Sequence, residues 1–151
     1  PGESLWDVGS GSGSIAIEWC RSGPGCRATA FERVAERRRR IELNALAFGV
    51  RVDVTFDAPE TFGTEPPPDV IFVGGGVSQP GLMDACWEKL KPGGRLVANA
   101  VTVESEAVLA QMHSRFGGEL LRYQHYRGEP VGSFTGWRPA MPVTQWVATK
   151  Q

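Results

Sequence analysis

The run Asp7-Val8-Gly9-Ser10-Gly11-Ser12-Gly13 constrains this chain more than any other feature. Residues 5–8 read as an apolar strand. Residues 14–21 read as a short helix carrying Ile15, Ile17, Trp19 and Cys20, so the glycines form a strand-to-helix turn. Alternating glycines let the backbone turn tightly and approach a ligand with no Cβ in the way. The helix that follows offers free N–H groups to whatever the turn holds, which favours an anion such as an amino-acid carboxylate. Asp7, at the strand's end, could receive the cationic amino group of the same ligand, directly or through water.

The remainder alternates strand and helix, the pattern of an open α/β sheet covered by helices on both faces. Further strands are predicted at residues 28–31, 52–56, 70–73, 95–99, 119–127 and 143–149, and helices at 35–48, 81–90 and 104–116. The unbroken apolar run at 70–73 suits a strand buried on both sides. Residues 128–142 read as a non-helical loop joining the last two strands. At 151 residues, 41% apolar and 22% charged, the chain suits one compact domain.

Several partner classes are disfavoured. The net charge of −1 argues against life on a polyanion, and Arg37-Arg38-Arg39-Arg40 reads as the solvated side of a helix. No stretch approaches a membrane span, and no signal peptide opens the chain. Cys20, Cys26 and Cys86 lack zinc-type spacing and read as free thiols in a reducing cytoplasm. His113 and His125 have no acid, cysteine or serine partner that would make a triad, and no metal site is expected. Trp6, Trp19 and Trp87 read as core, whereas Trp137, in a Gly/Pro-rich stretch, has less structural reason to be there.

Two cofactor classes fit the glycine turn. Gly11-Ser12-Gly13-Ser14-Ile15-Ala16 matches G-x-G-x-x-A, and Glu32 lies about 20 residues on, where a dinucleotide site needs a carboxylate for its ribose. Glu32, with Arg33 beside it, would serve the ribose of S-adenosylmethionine equally well. Three later signals favour the second. Phe56-Asp57-Ala58-Pro59 follows the third strand, where Asp57 could accept an adenine amine, Ala58 leaves room for the ring, and Pro59 completes the cofactor-binding stretch. Asp69-Val70-Ile71-Phe72-Val73-Gly74-Gly75-Gly76 ends a buried strand on glycines at the same rim. Leu90-Lys91-Pro92-Gly93-Gly94-Arg95-Leu96 then turns into the next strand. This order resembles the Rossmann-like, class I S-adenosylmethionine-dependent methyltransferases, and that resemblance implies a seven-stranded, mostly parallel sheet with an antiparallel last strand.

A narrower resemblance runs along nearly the whole chain. Leu5-Trp6-Asp7-Val8-Gly9-Ser10-Gly11-Ser12-Gly13-Ser14-Ile15, Ile71-Phe72-Val73-Gly74-Gly75-Gly76 and Pro142-Val143-Thr144-Gln145-Trp146 look like the precorrin-6Y methyltransferases, in particular their C-terminal decarboxylating domain. The resemblance implies methylation of carbon 15 of a precorrin-6B-type tetrapyrrole, with loss of carbon dioxide from the ring C acetate arm, in cobalamin biosynthesis. It places Gly9 to Gly13, Glu32 and Ala58 at the cofactor. It also implies a helix before the first strand and an upstream domain that methylates carbon 5. Residues 1–151 are accordingly expected to be one domain of a longer protein, with tetramers known among stand-alone relatives.

Such chemistry asks the protein chiefly to align and dehydrate the reactants, so no general base is assigned; Gly75 and Asn99 are the candidates nearest the reaction. The polycarboxylate substrate calls for arginines, and Arg127, Arg138 and Trp137 are expected to hold its arms and ring face. Two other readings are a tRNA adenine methyltransferase, which would want a basic groove, and a nicotinamide-dependent oxidoreductase.

Overall fold

The computed structural model describes residues 2–151. In chain order it contains β1 (Ser4–Val8), α1 (Ser14–Arg21), β2 (Arg27–Phe31), α2 (Ala35–Ala47), β3 (Asp53–Thr55), a 3₁₀ turn (Phe62–Thr64), β4 (Val70–Val73) and α3 (Leu82–Lys89). There follow β5 (Arg95–Ala100), α4 (Val103–Phe116), β6 (Glu119–Tyr123), β7 (Tyr126–Val131), β8 (Phe134–Pro139) and β9 (Val143–Thr149). Seven strands form one sheet in the order β3-β2-β1-β4-β5-β9-β6. β1 to β5 run parallel, while β9 is antiparallel to both β5 and β6. A dinucleotide fold of the usual order 3-2-1-4-5-6 has no reversed strand wedged before its last one.

Side-chain parity along each strand assigns the two faces. Leu5, Ala28, Ala30 and Val70 pack with Ala16 of α1 and Ile41 of α2. The alternate residues Trp6, Val8, Phe31, Ile71, Val73, Leu96 and Ala98 pack with Leu82 and Cys86 of α3 and with Leu109 and Met112 of α4. On this second face the Trp6, Phe31 and Phe62 rings lie 4.7–5.1 Å apart. Trp146 donates to the Gly117 carbonyl. Among the described residues, no buried helical side chain covers the other face of β5 and β9, where Val97, Asn99, Gln145 and Val147 alternate half-buried.

The stretch expected to be a strand to residue 127 and then a loop is built differently. β6 stops at Tyr123, and residues 126–139 form a separate two-stranded hairpin, β7 with β8. Neither face of that hairpin is buried, so it carries no apolar alternation to read, and Pro130, Gly132, Gly136 and Pro139 dilute what strand signal there is.

At the amino-terminal ends of the central strands β1 and β4, away from the glycine turn, Asp69 accepts from the Ser4 amide and hydroxyl, each at 2.8 Å, and from Lys91 Nζ at 2.7 Å. The Lys91 bond, followed by the Ser4 amide, holds its carboxyl at about 2, below the ordinary 3.8. A depressed carboxyl contributes stability above its unfolded pKa and loses it as pH falls through the folded one. The urea midpoint should therefore exceed that of Asp69→Asn at pH 5, and the gap should close as pH falls toward 2. A gap that persists unchanged at low pH would assign the stabilisation to something other than the charge.

Candidate functional site

The turn after β1 is held from below. Asp7 is 1% exposed, and its Oδ2 accepts from Ser10 Oγ at 2.6 Å and from the Ala16 amide at 3.2 Å. Burial pushes its carboxyl up, against the two hydrogen bonds. Asp7 thus takes one of the free N–H groups at the start of α1 and fixes the curvature of the loop. It is not among the residues that line the cavity above, and its two hydrogen bonds support the turn. Ser10, turned down onto Asp7, is likewise part of the support.

Gly9 (φ +70°), Gly11 (φ +60°) and Gly13 (φ +80°) all adopt the left-handed region. Gly9 faces the end of β4 closely: a Cβ there would fall 2.8 Å from Gly75 N and 2.9 Å from its Cα and O. Gly13 has the Ile41 side chain against it, so this glycine admits α2 onto the start of α1.

Above the carboxyl ends of β1, β2, β3 and β4 lies a cavity of about 470 Å³, a size that suits a nucleoside-sized ligand. Gly9, Glu32, Arg33, Asp57, Ala58, Gly74 and Gly75, all singled out from sequence, lie on its wall. Glu32 is 4% exposed and bridges two loops: Oε2 accepts from the Gly11 amide at 2.9 Å and Oε1 from the Val34 amide at 3.0 Å. A carboxylate offers about four lone-pair positions, so each oxygen keeps capacity for a hydroxyl donor. Asp57 Oδ1 accepts from the Ala58 amide at 3.0 Å.

Sequence reasoning missed part of the wall. Arg37, assigned to a solvated face and exposed there, also lines the cavity with Arg33, which lies just before α2. Ser78, Gln79 and Leu82 also line it, from a stretch with no chemistry-bearing pattern. Gln79 Nε2 donates to the Ala58 carbonyl at 3.0 Å, tying the β3 rim to the β4 rim. The rest of the arginine run is divided: Arg38 bonds the carbonyls of Glu32 and Arg33, and Arg40 pairs with Glu36.

Other candidates lie apart. Gly11, bonded to Glu32, and Pro59, after Ala58, adjoin wall residues without lining the cavity, and Ser12 and Gly13 face Asn44 and Ile41 of α2. Asn99 accepts from Gln145 Nε2 at 2.9 Å across β5 and β9, on the uncovered sheet face. Arg127, Trp137 and Arg138 belong to the hairpin; Trp137 is 78% exposed, and Arg138 Nε pairs with Glu129 at 2.8 Å. No helix among the described residues is long and apolar enough to cross a membrane.

Comparison with known proteins gives a consistent result. A family model for the precorrin methyltransferase domain matches residues 1–150. The chain is 66% identical over 151 residues to a precorrin-6Y C(5,15)-methyltransferase [decarboxylating] of Mycobacterium tuberculosis, covering all of this chain and 39% of that protein. It is 35% identical over 146 residues to a cobalt-precorrin-6B C(15)-methyltransferase (decarboxylating) of Salmonella typhimurium, covering 92% of this chain and 74% of the relative. The fold superposes on the crystal structure of the C-terminal domain of precorrin-6Y C5,15-methyltransferase from Rhodobacter capsulatus with a TM-score of 0.92 at 44% identity, covering 99% and 81% of the two chains. The chain thus spans about two fifths of the Mycobacterium protein's length. With the reversed strand β9, the glycine cradle and a match over residues 1–150, this chain belongs to the precorrin methyltransferase domain family.

Proposed function

We propose that this domain transfers a methyl group from S-adenosylmethionine to carbon 15 of a precorrin-6B-type tetrapyrrole and promotes loss of carbon dioxide from the ring C acetate arm, as a step of cobalamin biosynthesis. The observation that carries the reading is the shared wall: Glu32, Asp57 and the Gly9–Gly75 approach border one cavity at the rim of four parallel strands. These residues fit the cofactor. Glu32 would accept from the ribose hydroxyls, Asp57 from the adenine amine, and the loop from Gly9 to Gly13 would face the methionine end. The bound cofactor supplies an electrophilic methyl group on a sulfonium. The chain's own contribution is to orient the donor, hold the acceptor carbon in line with it and keep water out. In the decarboxylation the breaking C–C bond leaves its electron pair in the macrocycle, and carbon dioxide departs.

The tetrapyrrole's carboxylate arms are assigned to Arg127 and Arg138 and its ring face to Trp137, all on the β7–β8 hairpin. The exposed Phe134 and the free edge of β6 suit self-association into a homo-oligomer, a tetramer by the family resemblance. An upstream carbon-5 methyltransferase domain and a covering helix on the bare side of β5 and β9 belong to the same reading. The relatives' greater length and the half-buried valines there support it. Three free cysteines suit a reducing, cytoplasmic setting.

Calorimetry tests the cofactor: S-adenosylhomocysteine should bind and NAD should not, and the reverse result would refute the reading. For the acceptor, Arg138→Ala should weaken tetrapyrrole binding by about tenfold, the weight of a charge-assisted bond, and leave S-adenosylhomocysteine affinity unchanged. Unchanged tetrapyrrole affinity would remove the hairpin from the acceptor site.

A further inference from the structure

We infer that Arg38 is a positioning residue that locks together the two strand ends gripping the adenosine of the cofactor. The inference rests on the cofactor reading above. Arg38 Nη1 donates to the Glu32 carbonyl at 2.8 Å and to the Arg33 carbonyl at 2.7 Å, which pins the β2 rim from behind. Its guanidinium carbon stands 4.7 Å over the Phe56 ring, and Phe56 immediately precedes Asp57 on the β3 rim. One side chain therefore spans the ribose acceptor and the base acceptor. Among the described residues, the one backbone bond between these two rims beyond the strand pairing is Glu32 N to Thr55 O, a long 3.3 Å.

The role is separable from folding. α2 is anchored by Ile41 and Ala45, which are 0% and 4% exposed and pack into the core. Phe56 is 63% exposed, so its ring buries little against anything but Arg38. Both carbonyl bonds come from Nη1, and what a lysine ammonium would lack is the flat guanidinium face that lies over the ring. With the tie cut, the two rims would have to be ordered as the ligand binds, which lowers affinity without touching the chemistry.

The experiment is a double-mutant cycle read by calorimetry with S-adenosylhomocysteine. Arg38→Met should weaken binding about tenfold and Phe56→Leu about fivefold, with the double variant no worse than Arg38→Met, because the two groups act as one unit. Thermal midpoints should stay within about 3 °C, as expected of surface changes in a domain of this size. KM for S-adenosylmethionine should rise with kcat unchanged, and Phe56→Tyr, which keeps the ring face, should restore affinity. Additive losses in the double variant, or Arg38→Met affinity within about twofold of the parent, would overturn the inference. If the parent itself fails to bind S-adenosylhomocysteine, the cofactor reading falls. Ligand-free hydrogen exchange then decides the tie by itself: faster exchange at the Glu32 and Ala58 amides in Arg38→Met supports it, and unchanged exchange refutes it.

Discussion

Gly9→Ala should reduce S-adenosylhomocysteine affinity by at least about a hundredfold and lower unfolding stability by about 2–4 kcal/mol. Two costs combine. An alanine at φ +70° pays the left-handed penalty of about 1–2 kcal/mol. Its Cβ would also meet Gly75 N at 2.8 Å and Gly75 Cα and O at 2.9 Å, all backbone atoms, so no flexible side chain can yield. The β1 and β4 rims must then separate, and the cavity opens at the point where the two loops are closest. Gly11 is the internal control, because its φ is +60° but nothing stands within 4 Å of its missing Cβ. Gly11→Ala should show only the backbone cost of about 1–2 kcal/mol. Urea denaturation and calorimetry on the two variants separate strain from collision. Equal losses at Gly9 and Gly11 would mean that the approach to Gly75 is unimportant.

Glu32→Gln should weaken S-adenosylhomocysteine by roughly a hundredfold and destabilise the free domain by about 1–3 kcal/mol. The carboxylate receives an N–H on each oxygen, from Gly11 and from Val34. An amide has one carbonyl oxygen, so its NH₂ would be turned against one of those donors in a site that is 4% exposed. The ribose hydroxyls would also lose a charged acceptor, and bonds to charged groups contribute about 1.5–3 kcal/mol each. Titration of the variant with the same ligand measures the second loss, and a urea curve without ligand measures the first. A stability loss with intact affinity would show that the carboxylate serves the loops alone.

Much of this arrangement is legible in the amino-acid order because local rules and global fold agree there. The glycine turn sits between a strand and a helix whose boundaries match the structure, with α1 at Ser14–Arg21 as expected. Glu32 is readable from its spacing to that turn, since one helix and one strand of parallel sheet return the chain to the same rim. The seven-stranded, mostly parallel sheet with a reversed last strand came from the resemblance, and the neighbour order β3-β2-β1-β4-β5-β9-β6 from the structure alone, as periodicity cannot set which strands are neighbours. Asp7 reads from sequence as a ligand group because an acidic residue beside a glycine loop looks the same whether it faces a ligand or the loop's own amides. Only its depth, beneath Ser10 and Ala16, distinguishes the two. Arg37 is exposed, as the solvated-face reading has it, and its place beside the cavity was not legible because four consecutive arginines suggest one role, whereas a helix sends consecutive residues in different directions: Arg37 to the cavity rim, Arg38 to the Glu32 carbonyl, Arg40 to Glu36. The hairpin escaped because strand signals rest on a buried face, and β7 and β8 have none.

Tyr123 and Val143 are directly opposed partners in the β6–β9 ladder, and everything between them, the hairpin included, leaves and re-enters the sheet at that single step. The segment is a graft on a closed stem: its length and sequence can drift without shifting one rung of the ladder or one wall of the cradle. On the proposed assignment of the acceptor to the hairpin, acceptor preference and donor handling are free to diverge on separate evolutionary clocks within one small domain.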